Sequence, residues 1–251
     1  VILACGSKAY PQLGGGEAGY GLARSLGHEI TALTPAQVPL CVKQKAIKRL
    51  KGIRAQAVLK VLSNGRAIAS SAGELLFTDY GLSGPCALDV SREAVRSLAN
   101  GPVQLSMNLL PDLAVPPDMF FSERAARFPA RKLKEFLAGL FHESLINLFC
   151  DRVASLAEKP ASDFSAADLS AIAALASDWR LDLLEPLSWR EAMVCAGGVQ
   201  GCEVDPKTFQ SLKTPGVYIC GELLDVDGDC GGFNLHFAWA SGRLAGISAA
   251  A

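Results

Sequence analysis

The sequence predicts a mixed α/β fold, α+β overall, in which one sheet domain is interrupted by a β-barrel-like unit and then by a helical unit. Three observations lead there. Both ends of the chain read as apolar strand, loop, helix, over 1–28 and 217–250. The stretch 40–112 is patterned mostly as strand. From 116 to 179 the texture turns helical. The boundaries follow: a sheet domain over 1–34 that resumes at 189–251, a β unit over 35–112 and a helical unit over 113–188.

Each element has its own warrant. Val1 to Ala4 is apolar and begins β-branched, the pattern of a fully buried strand running to Cys5. A glycine-rich loop follows. The helix after it runs from Glu17 to about Leu26, with Tyr20, Leu22, Ala23 and Leu26 on its buried face and Gly27-His28 at its end. Prolines interrupt 34–39 and mark a boundary. The runs 55–62 and 66–71 flank Ser63-Asn64-Gly65, a strong hairpin signal because Asn and Gly tolerate positive φ. Further strands are expected at 74–77 and 103–109. The stretch 80–92 turns at 81–85 and then runs helical. Helical spacing recurs over 130–141, 144–156 and 166–177, and Ser165 with Asp168 resembles a capping box with Asp in place of Glu. Strand character returns at 189–199 and 217–220. The final helix, 233–250, has Phe233, Phe237, Ala240 and Leu244 on one face. There is no internal repeat.

Composition excludes several classes. The 251 residues are 50% hydrophobic and 20% charged, ample for a sizeable core. A net charge of −1 suggests no nucleic-acid surface and no acidic tail. No apolar run approaches the roughly 18 residues of a membrane span, and the first residues lack a signal peptide's basic leader and long apolar core. The 8 cysteines are irregularly spaced, none in C-x-x-C, and the 3 histidines lie far apart, so a zinc site is poorly supported. Cys5, Cys195 and Cys220 sit in apolar runs, where a reduced thiol acts as a small hydrophobe. The expected setting is reducing and cytoplasmic.

The stretch 221–242, GELLDVDGDCGGFNLHFAWASG, concentrates the candidate chemistry. Asp225, Asp227 and Asp229 fit the first three acidic positions of a calcium loop. Cys230 and His236 stand where that loop needs Gly and Glu, so calcium is disfavoured. Gly14, Gly16 and Gly19 match G-x-G-x-x-G, but nine residues after the strand and with no acid near position 39. That stretch reads as a loop and helix start, with a phosphate contact as the alternative. More specific is the strand 218–220 leading into Gly221-Glu222. A glycine admits a ligand close to the backbone, and Glu222 can accept hydrogen bonds from sugar or ribityl hydroxyls. Gly231-Gly232 then opens a helix whose free N–H groups make a partly positive site. Such a site suits a phosphate or the N1–C2=O edge of a flavin, and Asn234 adds a polar group near it. A tight turn with solvated aspartates is the plain alternative.

The stretch 221–246 resembles the carboxyl-terminal signature of the BaiN/RdsA-type NAD(P)/FAD-dependent oxidoreductases. The stretches 1–28, 73–92, 191–199 and 205–222 resemble that family too, in order along essentially the whole chain. The resemblance implies an FAD-binding Rossmann-like domain interrupted by the two inserted units. It places Ala4, Cys5 and Gly6 at a small-residue turn near the flavin, and Gly221 and Glu222 beside the pyrophosphate or ribityl chain. Asp227, Gly231, Gly232, Asn234 and Leu235 would line the isoalloxazine end. The implied chemistry is hydride transfer through FAD, with NAD(P)H a candidate donor and no acid–base residue assigned. His236 reads as a helix-packing or surface residue.

The family's opening strand, G-x-G-x-x-G turn and ribose-gripping acid have no counterpart in this sequence, and Cys5 stands where the family usually has Thr. The chain therefore reads as the carboxyl-terminal part of a flavoenzyme, with weakened FAD binding expected and a non-catalytic binding module as the alternative. Exposed apolar surface is expected around 1–3 and 217–219, favouring self-association. No nucleic-acid or membrane partner is expected.

Overall fold

The structure, a computed structural model, describes residues 1–251. In chain order the strands and helices are β1 (Ile2–Leu3), α1 (Ala18–Ser25), β2 (Thr34–Ala36), β3 (Leu40–Val42), β4 (Arg54–Ser63), β5 (Arg66–Phe77) and β6 (Gly81–Ser83). Then come α2 (Pro85–Leu98), β7 (Val103–Asn108), α3 (Pro117–Arg127), α4 (Leu133–Leu137), α5 (Glu143–Arg152) and α6 (Ala166–Ser177). The chain ends with β8 (Trp179–Pro186), β9 (Val194–Ala196), β10 (Tyr218–Ile219) and α7 (Phe233–Ala250). It divides into two compact units. The first comprises Val1–Leu40, Ala87–Asn100 and Glu185–Ala251, and the second comprises Cys41–Cys86 and Gly101–Leu184. The mixed α/β expectation holds, and the β-barrel is real.

In the second unit, β3, β6, β5, β4, β7 and β8 close a six-stranded barrel in that order. Closure leaves no unpaired edge. Its spine is the β4–β5 hairpin, which pairs from Arg54↔Leu76 to Ser63↔Arg66 with a register shift at Val61/Leu62. Asn64 (φ 50°) and Gly65 (φ 75°) make the reversal. Two positive φ values in a row match the right-handed twist of the flanking strands. Alternation then fills the interior: Ala57, Leu59 and Val61 of β4, Leu75 and Phe77 of β5, and Leu105 and Met107 of β7 are buried. The helices α3 to α6 belong to the same unit. Trp179 on β8 joins the two textures, packing its ring 6.2 Å from Phe77 and 5.6 Å from Phe149 on α5.

Several expectations need correction here. The strand expected at 74–77 is the end of one twelve-residue β5. The turn expected at 81–85 contains a short strand, β6, paired with β5. The helix expected over 130–141 shrinks to α4, because Lys132 is extended and Gly139 (φ 84°) leaves the helical region. The sequence reading missed β8, although Trp179, Leu181 and Leu183 alternate as its buried face. The capping box is present: Ser165 Oγ accepts from Asp168 N–H and the Asp168 carboxylate accepts from Ser165 N–H.

In the first unit, β1 pairs in parallel with β10, Ile2 opposite Tyr218 and Leu3 opposite Ile219. β2 pairs antiparallel with β9. The core of this unit gathers Leu3, Tyr20, Ala23, Val199, Val217, Ile219, Leu223 and Leu224. A fully buried strand at 1–5 does not form. Only two residues pair, Leu3 is buried, and Val1 and Ile2 are 80% and 41% exposed. Val217 and Ile219 are buried, so the expected exposed apolar surface includes Val1 and Ile2 but not these two. His28, just past α1, is buried between Glu203 (Nδ1 to Oε2, 2.9 Å) and Ser211 (Nε2 to Oγ, 2.8 Å) and ties α1 to the loop before β10.

The last helix turns inward a face that only partly matches its large apolar residues. Ser241 and Ala245 are buried and Phe237 of the expected face packs half-buried against the core, whereas Phe233 and Leu244 of that face are 63% and 36% exposed. The inward face carries small residues where the chain crosses it: Ser241 Oγ accepts from Gly221 N–H at 3.0 Å, and Ala238 lies across from Gly221. No helix is long and apolar enough to cross a membrane.

Candidate functional site

The parallel pair β1 and β10 runs in one direction, so both strands deliver their following residues to the same end. Ala4, Cys5, Gly6 and Ser7 follow β1, and Glu222 follows β10. These residues line a cavity of about 360 Å³ together with Tyr10, Gly14, Gly15 and Met193. Open parallel sheets bind ligands at the carboxyl ends of their strands, and the volume lies at the lower end of small-molecule pockets, about 300–1,000 Å³. The loop is held from within. Gly16 N–H donates to Ser7 O (2.8 Å), and Tyr10 N–H donates to Trp189 O (3.2 Å).

The glycines have distinct duties. A Cβ on Gly19 would sit 2.5 Å from Cys5 Cβ, so only glycine lets α1 pack against this turn. A Cβ on Gly15 would overlap Ala9 O at 1.9 Å. At Gly6 and Gly14, both at positive φ, a Cβ would meet nothing within 4 Å, so these backbones border open space.

Glu222 is the acid of this cavity. Its Oε1 accepts from Cys195 N–H at 2.8 Å. Burial raises its carboxyl pKa, the Cys195 N–H and Ser7 hydroxyl oppose that, and the charge of Asp227 adds to it. Behind it the Tyr20 ring is fully buried, its hydroxyl beside Cys195 and Ser7 without a hydrogen bond of normal geometry. Burial also pushes the Cys195 thiol up to about 11, so it stays protonated at neutral pH.

The acidic loop after Glu222 is fastened by residues far away in sequence. Asp225 accepts from Thr31 Oγ1–H (2.9 Å) and from Gly197 N–H (3.1 Å). Asp227 accepts from Arg92 Nη1 at 2.9 Å, and Cys230 N–H donates to Asp89 at 2.8 Å. Gln37 Nε2 donates to Gly228 O at 2.8 Å. Asn234 closes the loop on itself, its Oδ1 accepting from Gly228 N–H (2.8 Å) and its Nδ2 donating to Gly228 O (3.1 Å). Gly231 (φ 130°) and Gly232 (φ 88°) then start α7. The N–H groups of its first turn have no acceptor within the helix.

The residues singled out in the sequence thus separate into two sets. Ala4, Cys5, Gly6 and Glu222 meet at the cavity. Gly221 (φ 67°) lies behind it, with its N–H given to Ser241 Oγ at 3.0 Å. Asp227, Gly231, Gly232, Asn234 and Leu235 do not line that cavity. Asp227 and Asn234 hold the loop, and Leu235 is 61% exposed. Sequence reasoning missed Ser7, Tyr10, Met193 and the loop anchors Thr31, Gln37, Asp89 and Arg92. Only Gly14 and Gly15 carried a signal, the glycine run itself.

The chain is similar to several known proteins. The family model described as HI0933-like protein Rossmann domain matches residues 1–248. A 3-dehydro-bile acid delta(4,6)-reductase from Clostridium scindens is 36% identical over 252 residues, covering 100% of this chain and 62% of the relative. The ribosomal RNA dihydrouridine synthase of Escherichia coli is 30% identical over 246 residues, 96% of this chain and 58% of the relative. Its Haemophilus influenzae namesake is 26% identical over 250 residues, 99% of this chain and 59% of the relative. The chain spans about three fifths of the length of these curated relatives.

Proposed function

Because the chain belongs to the HI0933-like Rossmann-domain family of flavoproteins, we propose that its first unit holds part of FAD and serves a reductase that takes electrons from NAD(P)H. The observation that carries this reading is the cavity at the shared carboxyl end of β1 and β10, bordered by open glycine backbone and by Glu222. The residues suit a flavin nucleotide. Gly6 and Gly14 leave space where side chains would stand, and Glu222 brings the only carboxyl group to the cavity wall. FAD, when bound, supplies the hydride and electron transfer that protein side chains cannot.

The chain's own residues would bind, orient and shield. Ala4, Cys5 and Gly6 offer a small-residue surface for close approach. Glu222, whose neutral form burial favours, can donate a hydrogen bond to a ribityl or phosphate oxygen or, once ionised, accept one from a hydroxyl. Gly231 and Gly232 present the start of α7 as a partly positive end suited to negative charge. Asp227, Asn234 and Arg92 keep that end in place. The relatives are named for reducing a 3-dehydro-bile acid and for dihydrouridine synthesis in ribosomal RNA.

The test is a visible absorption spectrum of the purified protein, as this chain and as the full natural gene product, before and after FAD is added and the excess removed. Retained flavin bands that bleach anaerobically on adding NADH or NADPH are expected. Both forms remaining colourless with added FAD would overturn the reading.

A further inference from the structure

A net charge of −1 conceals a place where three arginines crowd one aromatic ring. Phe128 follows the end of α3 in the second unit. The guanidinium carbons of Arg124, Arg127 and Arg131 stand 5.3, 5.5 and 4.1 Å from the centre of its ring. The three charges therefore share a region comparable with the Debye length, about 8 Å at physiological salt. No carboxylate joins them. Arg124 is occupied, with Nε donating to Phe136 O at 2.7 Å and Nη2 to Ala138 O at 2.9 Å. The side chains of Arg127 and Arg131 make ring contacts and no hydrogen bond or ion pair within the protein, so their N–H groups are open to solvent or a ligand.

Local structure explains part of this. Arg124 and Arg127 lie in the last turn of α3, where the helix dipole favours cations, and guanidinium groups stack well on aromatic faces. Stacking also accounts for Arg131, outside the helix, but it sets a third like charge beside two others with no anion to offset it. Burial most of all, and then the charges of Arg131 and Arg127, lower the Arg124 pKa; the smaller, like-charge part is repulsion that an anion would relieve.

We propose that Arg127 and Arg131, with Arg124 as a fixed third charge, bind one phosphate group of a small phosphorylated molecule. The planar, five-donor guanidinium suits paired hydrogen bonds to a phosphate, and two unoccupied ones on a shared ring are preorganised for it. The size of the ligand follows from the neighbours. Lys132 pairs with Glu158 (2.5 Å) and Lys134 with Glu143 (2.9 Å). The positive potential therefore does not continue through these lysines as the track a nucleic-acid strand needs.

The experiment is calorimetric titration of the full chain with inorganic phosphate in low-salt, chloride-free buffer, repeated with Arg127→Ala, Arg131→Ala and Arg131→Lys. Saturable one-site binding is expected, weakened about tenfold or more by either alanine and less by lysine, which keeps the charge but not the fork. Unchanged melting temperatures would show that the variants fold. Absence of saturable phosphate binding, or binding unaltered by both alanine variants, overturns the proposal. Parallel titrations with a single-stranded oligonucleotide and with phosphatidylserine vesicles supply the other sources of phosphate. Tighter binding there, with a steep salt dependence lost in the same variants, would replace the small ligand with a polymer or a membrane and overturn it equally.

Discussion

The reversal at Asn64-Gly65 and the loop from Gly221 to Gly232 both depend on glycines at positive φ, yet they are held in opposite ways. The first is fixed by its own two residues and the strands they join. The second is fixed by Thr31, Gln37, Asp89, Arg92 and Gly197, all distant in sequence. A local turn reports its shape through its residue types. A stapled loop reports only that something unusual happens, and the staples must be seen to be known.

Substitutions can break or sharpen that contrast. The largest effect is expected at Gly197, at φ 100°, where an added Cβ would lie 2.3 Å from Ala32 O. Gly197→Ala should cost about 3 kcal/mol in urea denaturation, combining backbone strain with a clash against main chain. It also displaces the N–H that Asp225 accepts, so any flavin retention should fall with it. A loss under about 1 kcal/mol would mean that the loop is not held from this side. Gly65→Ala has only its own φ of 75° to strain and open space around it, so about 1 kcal/mol is expected, with the barrel intact by circular dichroism.

The smallest effect concerns Glu222. Burial raises its pKa in the folded protein, so the fold favours the protonated carboxyl. That contribution is complete below the unfolded-state pKa and is lost as pH rises through the raised folded value. Glu222→Gln keeps an acceptor for Cys195 N–H and carries no charge. It should match the wild type at acidic pH and melt about 2 °C higher at pH 8. An equal gap at both pH values would remove burial of the charge as the cause.

Legibility in the sequence followed the range of the interactions. The hairpin, the capping box of α6, the start and end of α1 and the length of α7 are written in neighbouring residues, and each stands close to its expected place. β8 was missed because its apolar alternation begins at Trp179, separated from the helix by one residue, with only Ser177-Asp178 to mark the change. The inward face of α7 was only partly legible: Phe237 of the expected face packs against the core, but the buried positions are the small Ser241 and Ala245, and Ser241 is drawn in by the Gly221 N–H. At the cavity, Glu222 and the turn at Ala4–Gly6 were visible as a strand end with small residues. Ser7, Tyr10 and Met193 were not, since nothing in their surroundings distinguishes a lining residue from a loop residue.

The sequence by itself determined the mixed α/β class, the hairpin turn at Asn64-Gly65, the terminal helices and the family, because these rest on periodicity, turn stereochemistry and ordered motifs. Tertiary structure decided which carboxylate faces the cavity and which are consumed as anchors. Glu222, Asp225 and Asp227 are alike in composition and within six positions of one another. Glu222 stays at the cavity wall, Asp225 is bound by Thr31 and Gly197, and Asp227 is bound by Arg92. A side chain's role depends on the partner that reaches it first, and those partners arrive only when distant segments fold together.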